Sequence, residues 1–374
     1  MPKVTVLMPV YNGELFLREA IESILNQNFN DFELLLIDDG SIDQSAAIIS
    51  SYADPRIRFY SNGSNRGLIF TLNKGLDLAE GEYIARMDCD DFAFPDRLGR
   101  QVEFMNQYPE IGLCGTAMKY MHQDVWVKHP TDHDDIKAGL LFYCALNHPT
   151  VMMRKSVVKS YALYYDYNSP HTEDYELWSR MAHLTRVTNL PDVLLHYRIH
   201  GEQVGAKHGE EQRLVGRKIV HSQLIRMGLL PTDEELNLHM DVCNRRLRAT
   251  DEFIQSVRGW FDKLRAKNNE SKLFTPQGLE NVLNTYFAEV SNFYFAHRAV
   301  AQRSAAPAAV RQRRVMSARD KGRSRRKSGV KWITKHGRKK ARPLVARKPK
   351  NGFARKPLMR SGLRKPAILK KKIK

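Results

Sequence analysis

The chain has 374 residues and a formal net charge of +19, with 60 Lys and Arg against 41 Asp and Glu. Residues 301–374 hold 28 of the basic residues and a single acid, a net charge of +27, whereas residues 1–300 hold 32 basic and 40 acidic residues, a net charge of −8. The chain is therefore not uniformly basic, and its mildly acidic body and strongly basic tail need separate interpretations.

The cysteines and the apolar runs exclude several classes of protein. The four cysteines form no CxxC pair, which excludes CxxC metal and redox sites and argues against a disulfide-built secreted fold. The apolar run at the N-terminus is short and is broken by Pro9, so it predicts neither a signal peptide nor a membrane span. The longest later run, 138–146, falls well below the roughly 20 residues that a spanning helix needs. We expect a cytoplasmic protein, either soluble or peripherally bound at a membrane.

The first 110 residues alternate between β-branched apolar runs and amphipathic segments. The predicted elements are strands at 4–10, 32–37, 57–60 and 83–87 and helices at 14–27, 44–52, 68–79 and 96–107. A continuous apolar run such as 32–37 is typical of a strand that is buried on both faces of a parallel sheet. The alternation with short polar turns predicts an α/β sheet with helices on both faces.

The rest of the chain divides into three parts. Residues 111–206 are mixed, with a predicted strand at 111–118 and a predicted helix at 173–185. Residues 207–302 are mostly helical, with helix-start signals at Thr232 and at Thr275, which precedes Pro276. From residue 303 apolar periodicity disappears and Arg-Lys-Pro recurs, which predicts an extended, disordered tail. We therefore expect a first domain at 1–206, a helical subdomain at 207–302 and a basic tail at 303–374.

Acidic residues follow two of the predicted strands, at the edge where open α/β sheets bind ligands. Asp38 and Asp39 end one strand, and Asp88, Asp90 and Asp91 follow another. Three carboxylates within four residues repel one another, so the arrangement predicts either a bound divalent cation or a fully solvated turn. Because alternate residues of an extended segment point the same way, Asp88 and Asp90 can converge on one Mg²⁺ or Mn²⁺.

Six segments along the body occur in a familiar order and spacing: TVLMPVYNGE, LLIDDGS, GEYIARMDCDDFAFPDRL, HPTVMMRK, TEDYELWSRM and LLHYRIH. With these segments, residues 2–200 resemble the family 2 glycosyltransferases of the GT-A fold. The resemblance implies a Rossmann-like, mostly parallel sheet and inverting sugar transfer from a nucleotide-diphosphate donor. The helical segment resembles the C-terminal extension of such enzymes more loosely, and the tail matches nothing in the family.

The resemblance implies a nucleotide-binding set that comprises Pro9, Tyr11, Glu14, Asp39, Arg66 and Asp88. Tyr11 lies in the loop after the first strand, where its ring can stack on the base, and an ordinary turn tyrosine is the alternative. Asp39 is expected to accept the imide N–H of uracil or a similar base contact. Arg66, between Asn65 and Gly67, is expected near the diphosphate, and a solvated arginine is the alternative.

The segment Asp88-Cys89-Asp90 matches the DXD motif of the family. The match implies that Asp90 binds the Mn²⁺ or Mg²⁺ that bridges the diphosphate, and that Asp88 contacts the ribose or the metal shell. Asp91 matches a common form of the motif, and its role stays open. Some members use a histidine at the position of His200 as a further metal ligand, and a surface or core histidine is the alternative.

Glu173 and Asp174 match the family's ED motif. Inverting transfer needs a base that takes the proton of the acceptor hydroxyl, and a carboxylate near the donor is the usual choice. We assign this role to Asp174 and expect Glu173 to support the loop or to bind the acceptor. Acidic residues that merely favour a helix N-terminus are the alternative. A third polar cluster, around His129 and His133, is interpreted as a solvated loop.

The predicted function is therefore metal-dependent transfer of a sugar, with a UDP-sugar as first candidate, to a glycan or lipid-linked acceptor in surface polysaccharide or glycoconjugate synthesis. No QxxRW-type motif follows the ED pair, which predicts transfer of one or a few sugars per encounter. The alternative is a nucleic-acid-binding protein that acts through its tail and uses the GT-A domain as a binding module. For residues 303–374 themselves, an anionic membrane surface is slightly favoured over nucleic acid.

Overall fold

The computed structural model describes residues 1–201 and 208–305, and their side chains as far as residue 298. The described strands form one sheet and comprise β1 (Val4–Val10), β2 (Phe32–Asp38), β3 (Ile57–Ser61), β4 (Tyr83–Arg86), β5 (Phe92–Ala93), β6 (Ile111–Tyr120), β7 (Trp126–Val127), β8 (Met152–Arg154) and β9 (Arg186–Tyr197). The described α-helices are α1 (Leu17–Leu25), α2 (Ser45–Ser50), α3 (Leu68–Leu78), α4 (Arg97–Gln107), α5 (His133–Gly139), α6 (Lys155–Ser160), α7 (Glu173–Met181), α8 (Gly209–Arg226), α9 (Asp233–Cys243), α10 (Asp251–Ser271) and α11 (Pro276–Ala305).

The sheet has a parallel half and a mixed half. Its order is β3-β2-β1-β4-β8-β6-β9-β5, with β7 paired to β6. Strands β3, β2, β1 and β4 are parallel, so their carboxyl ends meet at one edge of the sheet. Strand β8 is antiparallel to β4 and β6, whereas β6 and β9 are parallel to each other. The predicted α/β class is confirmed, and the antiparallel strands account for the mixed sequence pattern after residue 110.

Each face of the sheet supports its own hydrophobic cluster. Along β1, Val4, Val6 and Met8 pack into the cluster that contains α1 and α4, whereas Leu7 packs into the cluster on the opposite face. Both faces are covered, so all seven residues of β1 are buried, as its largely apolar sequence predicts. All seven residues of β2 are buried too, and its Glu33 carboxylate accepts the Thr5 hydroxyl of β1.

Helix α1 begins at Leu17, three residues later than predicted. The delay has a local cause, because side chains of the loop after β2 bind the backbone of residues 12–14. The Asn12 amide donates to the Ser41 hydroxyl at 3.0 Å, and the Glu14 amide donates to Asp43 Oδ2 at 3.0 Å. These bonds satisfy amides that would otherwise begin the helix, and they join the loops after β1 and β2 into one rigid unit.

The C-terminal helices pack on the sheet and share its larger hydrophobic cluster, which includes Leu7 of β1 and Trp260 of α10. The predicted helix start at Thr232 is confirmed as a capping box with Glu235, and Thr275 accepts the Gly278 amide at 3.2 Å. Gly278 allows α11 to approach α5 closely, because a Cβ there would lie 2.7 Å from the Asp134 carbonyl oxygen.

The predicted boundary at 206/207 falls within the segment 202–207, which the structure does not describe, and the predicted tail lies almost entirely beyond residue 305. Within the described ranges, no helix has both the length and the hydropathy that crossing a membrane requires.

Candidate active site

A cleft of about 600 Å³ opens at the carboxyl edge of the parallel strands. Six of the sequence-predicted site residues line it, namely Tyr11, Asp88, Asp90, Glu173, Asp174 and His200. They come from four places: the loop after β1, the segment after β4, the start of α7 and the segment after β9. The cleft thus brings together residues separated by up to 189 positions in the sequence.

The carboxylates of Asp88, Asp90 and Asp91 form one cluster, in which oxygen atoms of all three lie within 4.8 Å of one another. The segment after β9 contacts this cluster. His200 Nε2 lies 2.8 Å from Asp90 Oδ2, and the Arg198 amide donates to Asp91 Oδ1 at 2.9 Å. The predicted proximity of His200 to the DXD segment is thus present in the fold.

Buried charge surrounds the acidic cluster. Burial raises the pKa of Asp88, and the neighbouring Asp90 charge adds to the rise, while Arg86 opposes it through an ion pair. Burial also raises the pKa of Asp91 well above its ordinary value, reinforced by Asp88 and Asp90. Arg97 lies behind them and donates to the Arg86 carbonyl at 2.6 Å. Burial, and to a smaller extent the charge of Arg86, lower the pKa of Arg97 to about 9.

The donor set of this cluster fits a hard divalent cation. Asp91 is fully buried, and its Oδ2 has no hydrogen-bond partner among the described residues. An orphaned carboxylate oxygen beside two further carboxylates is costly unless a cation compensates the charge. Oxygen donors are those that Mg²⁺ and Mn²⁺ prefer.

Glu173 and Asp174 form the first turn of α7, where the helix dipole favours negative charge. Asp174 Oδ1 accepts the Tyr175 amide at 2.7 Å, and the Cys144 thiol donates to Asp174 Oδ2 at 3.7 Å. Burial raises the pKa of Asp174. Burial, and then the Asp174 charge, raise the pKa of Glu173 to about 7. The cleft therefore holds a carboxyl pair in addition to the acidic cluster.

Changing Glu173 to Gln is expected to stabilise the protein at pH 8 and to change its stability little at pH 4.5. The folded state holds the Glu173 proton up to a pKa of about 7, against an ordinary 4.5, so wild-type stability falls as pH rises through this window. Glu173 is only 5% exposed, so the gain at pH 8 should reach roughly 2 kcal/mol. Urea unfolding in EDTA at both pH values measures it, with exposed Glu252→Gln as control. An equal gain at both pH values would contradict the assignment.

The remaining predicted nucleotide-binding residues lie outside the lining of the cleft. Pro9 is buried within β1, and Glu14 is exposed, with its Oε2 accepting the Gln44 amide at 2.9 Å. Asp39 is 4% exposed, and its oxygens accept the amides of Arg66 and Gly67 at 2.9 and 2.8 Å. Asp39 therefore shapes the loop that carries Arg66.

The exposed side chain of Arg66 lies over the Phe70 ring, 4.3 Å from its centroid. Tyr11 is 47% exposed, so its ring is accessible at the mouth of the cleft.

Several residues of the site were assigned no functional role from the sequence. Arg86 and Arg97 are almost completely buried behind the acids, and a buried arginine leaves no periodic pattern. His148 lines the cleft and bonds to the Tyr165 hydroxyl at 3.0 Å. The interpretation of His129 as part of a solvated loop is wrong, because it also lines the cleft and lies 3.0 Å from Asn147 Oδ1. From the sequence, only the segment HPTVMMRK, which begins at His148, could have indicated that this part of the chain lines the cleft.

Comparisons with known proteins agree with this architecture. The family described as Glycosyl transferase family 2 matches residues 5–162. A Haemophilus influenzae protein described as an uncharacterized glycosyltransferase is 34% identical over 233 residues, which span 58% of this chain and 72% of that protein. A second protein of this organism with the same description is 31% identical over 220 residues, 56% of this chain and 81% of its own length.

Two solved structures resemble the chain at low sequence identity. S. aureus TarS 1-349 in complex with UDP-GlcNAc matches with a TM-score of 0.54 and 17% identity, over 81% of this chain and 92% of that one. The mannosyltransferase PcManGT from Pyrobaculum calidifontis, in complex with GDP-Man and Mn²⁺, matches with a TM-score of 0.50 and 16% identity, over 79% and 87%. These likenesses concern the fold alone, and they confirm the predicted GT-A architecture.

Proposed function

Since the chain belongs to glycosyltransferase family 2, we propose that its cleft transfers a sugar, with inversion and with the help of a divalent cation, from a nucleotide-diphosphate donor to a glycan or lipid-linked acceptor. One observation carries the proposal: the Asp88-Asp90-Asp91 cluster and the Glu173-Asp174 pair line a single cleft at the carboxyl edge of the sheet. Surface polysaccharide or glycoconjugate synthesis is the process we propose for such a product.

We propose that the donor lies along the loops after β1, β2 and β4. Tyr11 stacks on the base, as its exposed ring at the mouth of the cleft allows. Pro9 and Glu14 hold the Tyr11 loop in place, and Arg66 offers its charge to the diphosphate. Asp39 holds the Arg66 loop, and its contact with the base stays a prediction.

A cation would be held by Asp90, with Asp88 and His200 beside it. When bound, Mn²⁺ or Mg²⁺ neutralises charge that develops on the departing diphosphate. A UDP-sugar is the first candidate donor. TarS has been solved with UDP-GlcNAc and PcManGT with GDP-Man, so the nucleobase of the donor is to be determined by experiment.

We propose that Asp174 takes the proton from the acceptor hydroxyl as its oxygen attacks the anomeric carbon. Attack from the side opposite the diphosphate inverts that centre. The Tyr175 amide and the Cys144 thiol hold the Asp174 carboxylate in one orientation, which a positioned base requires. Glu173 lies beside it and supports the loop or the acceptor, and its raised pKa leaves part of the Glu173 population protonated near neutral pH, which lowers the negative charge beside Asp174.

A panel of nucleotide sugars tests the proposed function. The full-length protein is incubated with each UDP-, GDP- and dTDP-sugar, with Mn²⁺ or with EDTA, and nucleoside-diphosphate release is measured. We expect release from one donor class, dependent on Mn²⁺ and stimulated by an extract that contains the acceptor. Equal release in EDTA would contradict the metal dependence, and no release from any donor would contradict the assignment of the cleft to donor binding.

For residues 303–374 we propose attachment to an anionic membrane surface, with nucleic acid as the alternative partner. The supporting observation is the net charge of +27 that residues 301–374 carry. Basic residues near an anionic leaflet contribute about 1 kcal/mol each, and lipid-linked acceptors lie at such surfaces. Removing residues 303–374 should abolish co-sedimentation with phosphatidylserine liposomes while donor hydrolysis survives. Salt-sensitive retention on DNA without retention on liposomes would favour the alternative instead.

A further inference from the structure

A second group of metal-ligating side chains lies at the rim of the cleft, separate from the aspartate cluster. It consists of His171, which precedes α7, and of His208 and Glu211 at the start of α8. His171 also lines the cleft. Ligand atoms of all three lie within 4.8 Å of one another. We propose that these three side chains bind a transition-metal cation, with Zn²⁺ as the first candidate, and that this ion is distinct from the cation at Asp90.

Two donor-to-donor distances are close to those in a zinc site. Glu211 Oε2 lies 3.4 Å from His171 Nε2 and 3.6 Å from His208 Nδ1. Zn²⁺ bonds nitrogen and oxygen at about 2.0–2.2 Å in tetrahedral geometry, which places neighbouring donor atoms roughly 3.3–3.5 Å apart. Two imidazoles and one carboxylate leave a fourth position for water or a substrate group, and this donor set favours zinc over Mg²⁺.

The three side chains have few other partners. Within residues 1–201 and 208–298, the His171 and His208 side chains form no hydrogen bond, ion pair or ring stack except with each other and Glu211, and the Glu211 carboxylate pairs only with these two rings. The rings are stacked, with centroids 3.9 Å apart and planes 16° from parallel. Because a nitrogen lone pair lies in the plane of its ring, both rings must rotate about their Cβ–Cγ bonds for the lone pairs to converge on one ion.

The backbone around the cluster is already held together. Gln212 Nε2 donates to the His171 carbonyl at 2.9 Å, so the same turn of α8 that carries Glu211 also holds the His171 loop. An ion at this site would therefore join α8 to the loop that leads into α7, which begins at Glu173. Since Asp174 follows directly, the proposed ion would restrain the segment that carries the candidate base without taking part in the transfer itself.

Metal content tests the proposal independently of sugar transfer. Full-length protein with Asp90→Ala, which weakens the aspartate cluster, is stripped with chelator, incubated with Zn²⁺, dialysed and analysed by mass spectrometry. We expect about one Zn²⁺ per chain, and none when His171→Gln and His208→Gln are added. Glu211→Gln should weaken zinc binding at least tenfold, whereas its neighbour Glu210→Gln, which removes an exposed pair with Arg213, should leave binding unchanged.

Cobalt provides the second readout, because Co²⁺ with nitrogen ligands in a four-coordinate site absorbs visible light far more strongly than Co²⁺ in a six-coordinate oxygen site. We expect this band in wild-type protein and in Asp90→Ala, and not in Glu211→Gln. In the Asp90→Ala background, zinc should also raise the thermal unfolding temperature, and adding Glu211→Gln should reduce this rise. Zinc content and cobalt spectra that are the same with and without the two histidines would overturn the proposal, as would a wild-type protein that retains no zinc.

Discussion

Replacing Asp90 with Ala is expected to lower nucleotide-sugar turnover by roughly 10³-fold, a loss of about 4 kcal/mol of transition-state stabilisation. Asp90 lies at the centre of the acidic cluster, with His200 Nε2 2.8 Å from its Oδ2 and the carboxylates of Asp88 and Asp91 nearby. Removing it takes away the proposed principal cation ligand, so charge on the departing diphosphate is no longer compensated. Nucleoside-diphosphate release at saturating Mn²⁺ measures the effect.

The control for this variant is Asp262→Ala, which removes an exposed carboxylate of α10 that pairs with Arg265. This change should leave turnover within about twofold of the wild type, because exposed pairs contribute little. Manganese electron paramagnetic resonance separates loss of binding from loss of folding: wild type and Asp262→Ala should bind Mn²⁺, and Asp90→Ala should not. Wild-type turnover by Asp90→Ala in Mn²⁺ would show that Asp90 is not the metal ligand.

The parallel half of the fold could be predicted closely from sequence because both faces of its strands are buried. Such strands have largely apolar sequences, so the end of β1, Asp39 after β2 and the acids after β4 were visible without a structure. The adjacency of β1 and β4, which brings Asp88 and Asp90 to the same cleft as Tyr11, was not predicted and comes from the structure. Local pattern and one general rule about sheets were sufficient to predict that these residues lie at the carboxyl edge of the sheet.

The mixed half could not be predicted in the same way. Strand β8 has only three residues, and β6 pairs with β9 across about 75 positions of sequence, with register shifts at Ala117. No local sequence pattern therefore predicts either pairing. The contacts of His200 and Arg198 with the acidic cluster depend on this pairing. No role was assigned to buried Arg86 and Arg97 for a related reason: the ion pair of Arg86 with Asp88 and the bond from Arg97 to the Arg86 carbonyl appear only in the fold.

Changing Asp174 to Asn is expected to lower transfer to the acceptor by roughly 10²–10⁴-fold while donor binding is retained. An Asn side chain keeps the shape of Asp and can still accept the Tyr175 amide, but it cannot take a proton from the acceptor hydroxyl. Titration with the donor, followed by intrinsic fluorescence, should give a Kd within about threefold of the wild type. Transfer to acceptor and Mn²⁺ binding are measured on the same protein.

The control for Asp174→Asn is Glu176→Gln. Glu176 lies on the same helix, pairs with Arg180 at 2.7 Å and does not line the cleft. This variant should transfer sugar at close to the wild-type rate. Glu173→Gln separates the two neighbouring carboxyl groups. If Glu173→Gln lost transfer and Asp174→Asn kept the wild-type rate, Glu173 would be the base. Burial raises the pKa of Asp174, so the rate of transfer by the wild type should increase with pH as this carboxyl group ionises. The residual activity of Asp174→Asn should not show this increase with pH.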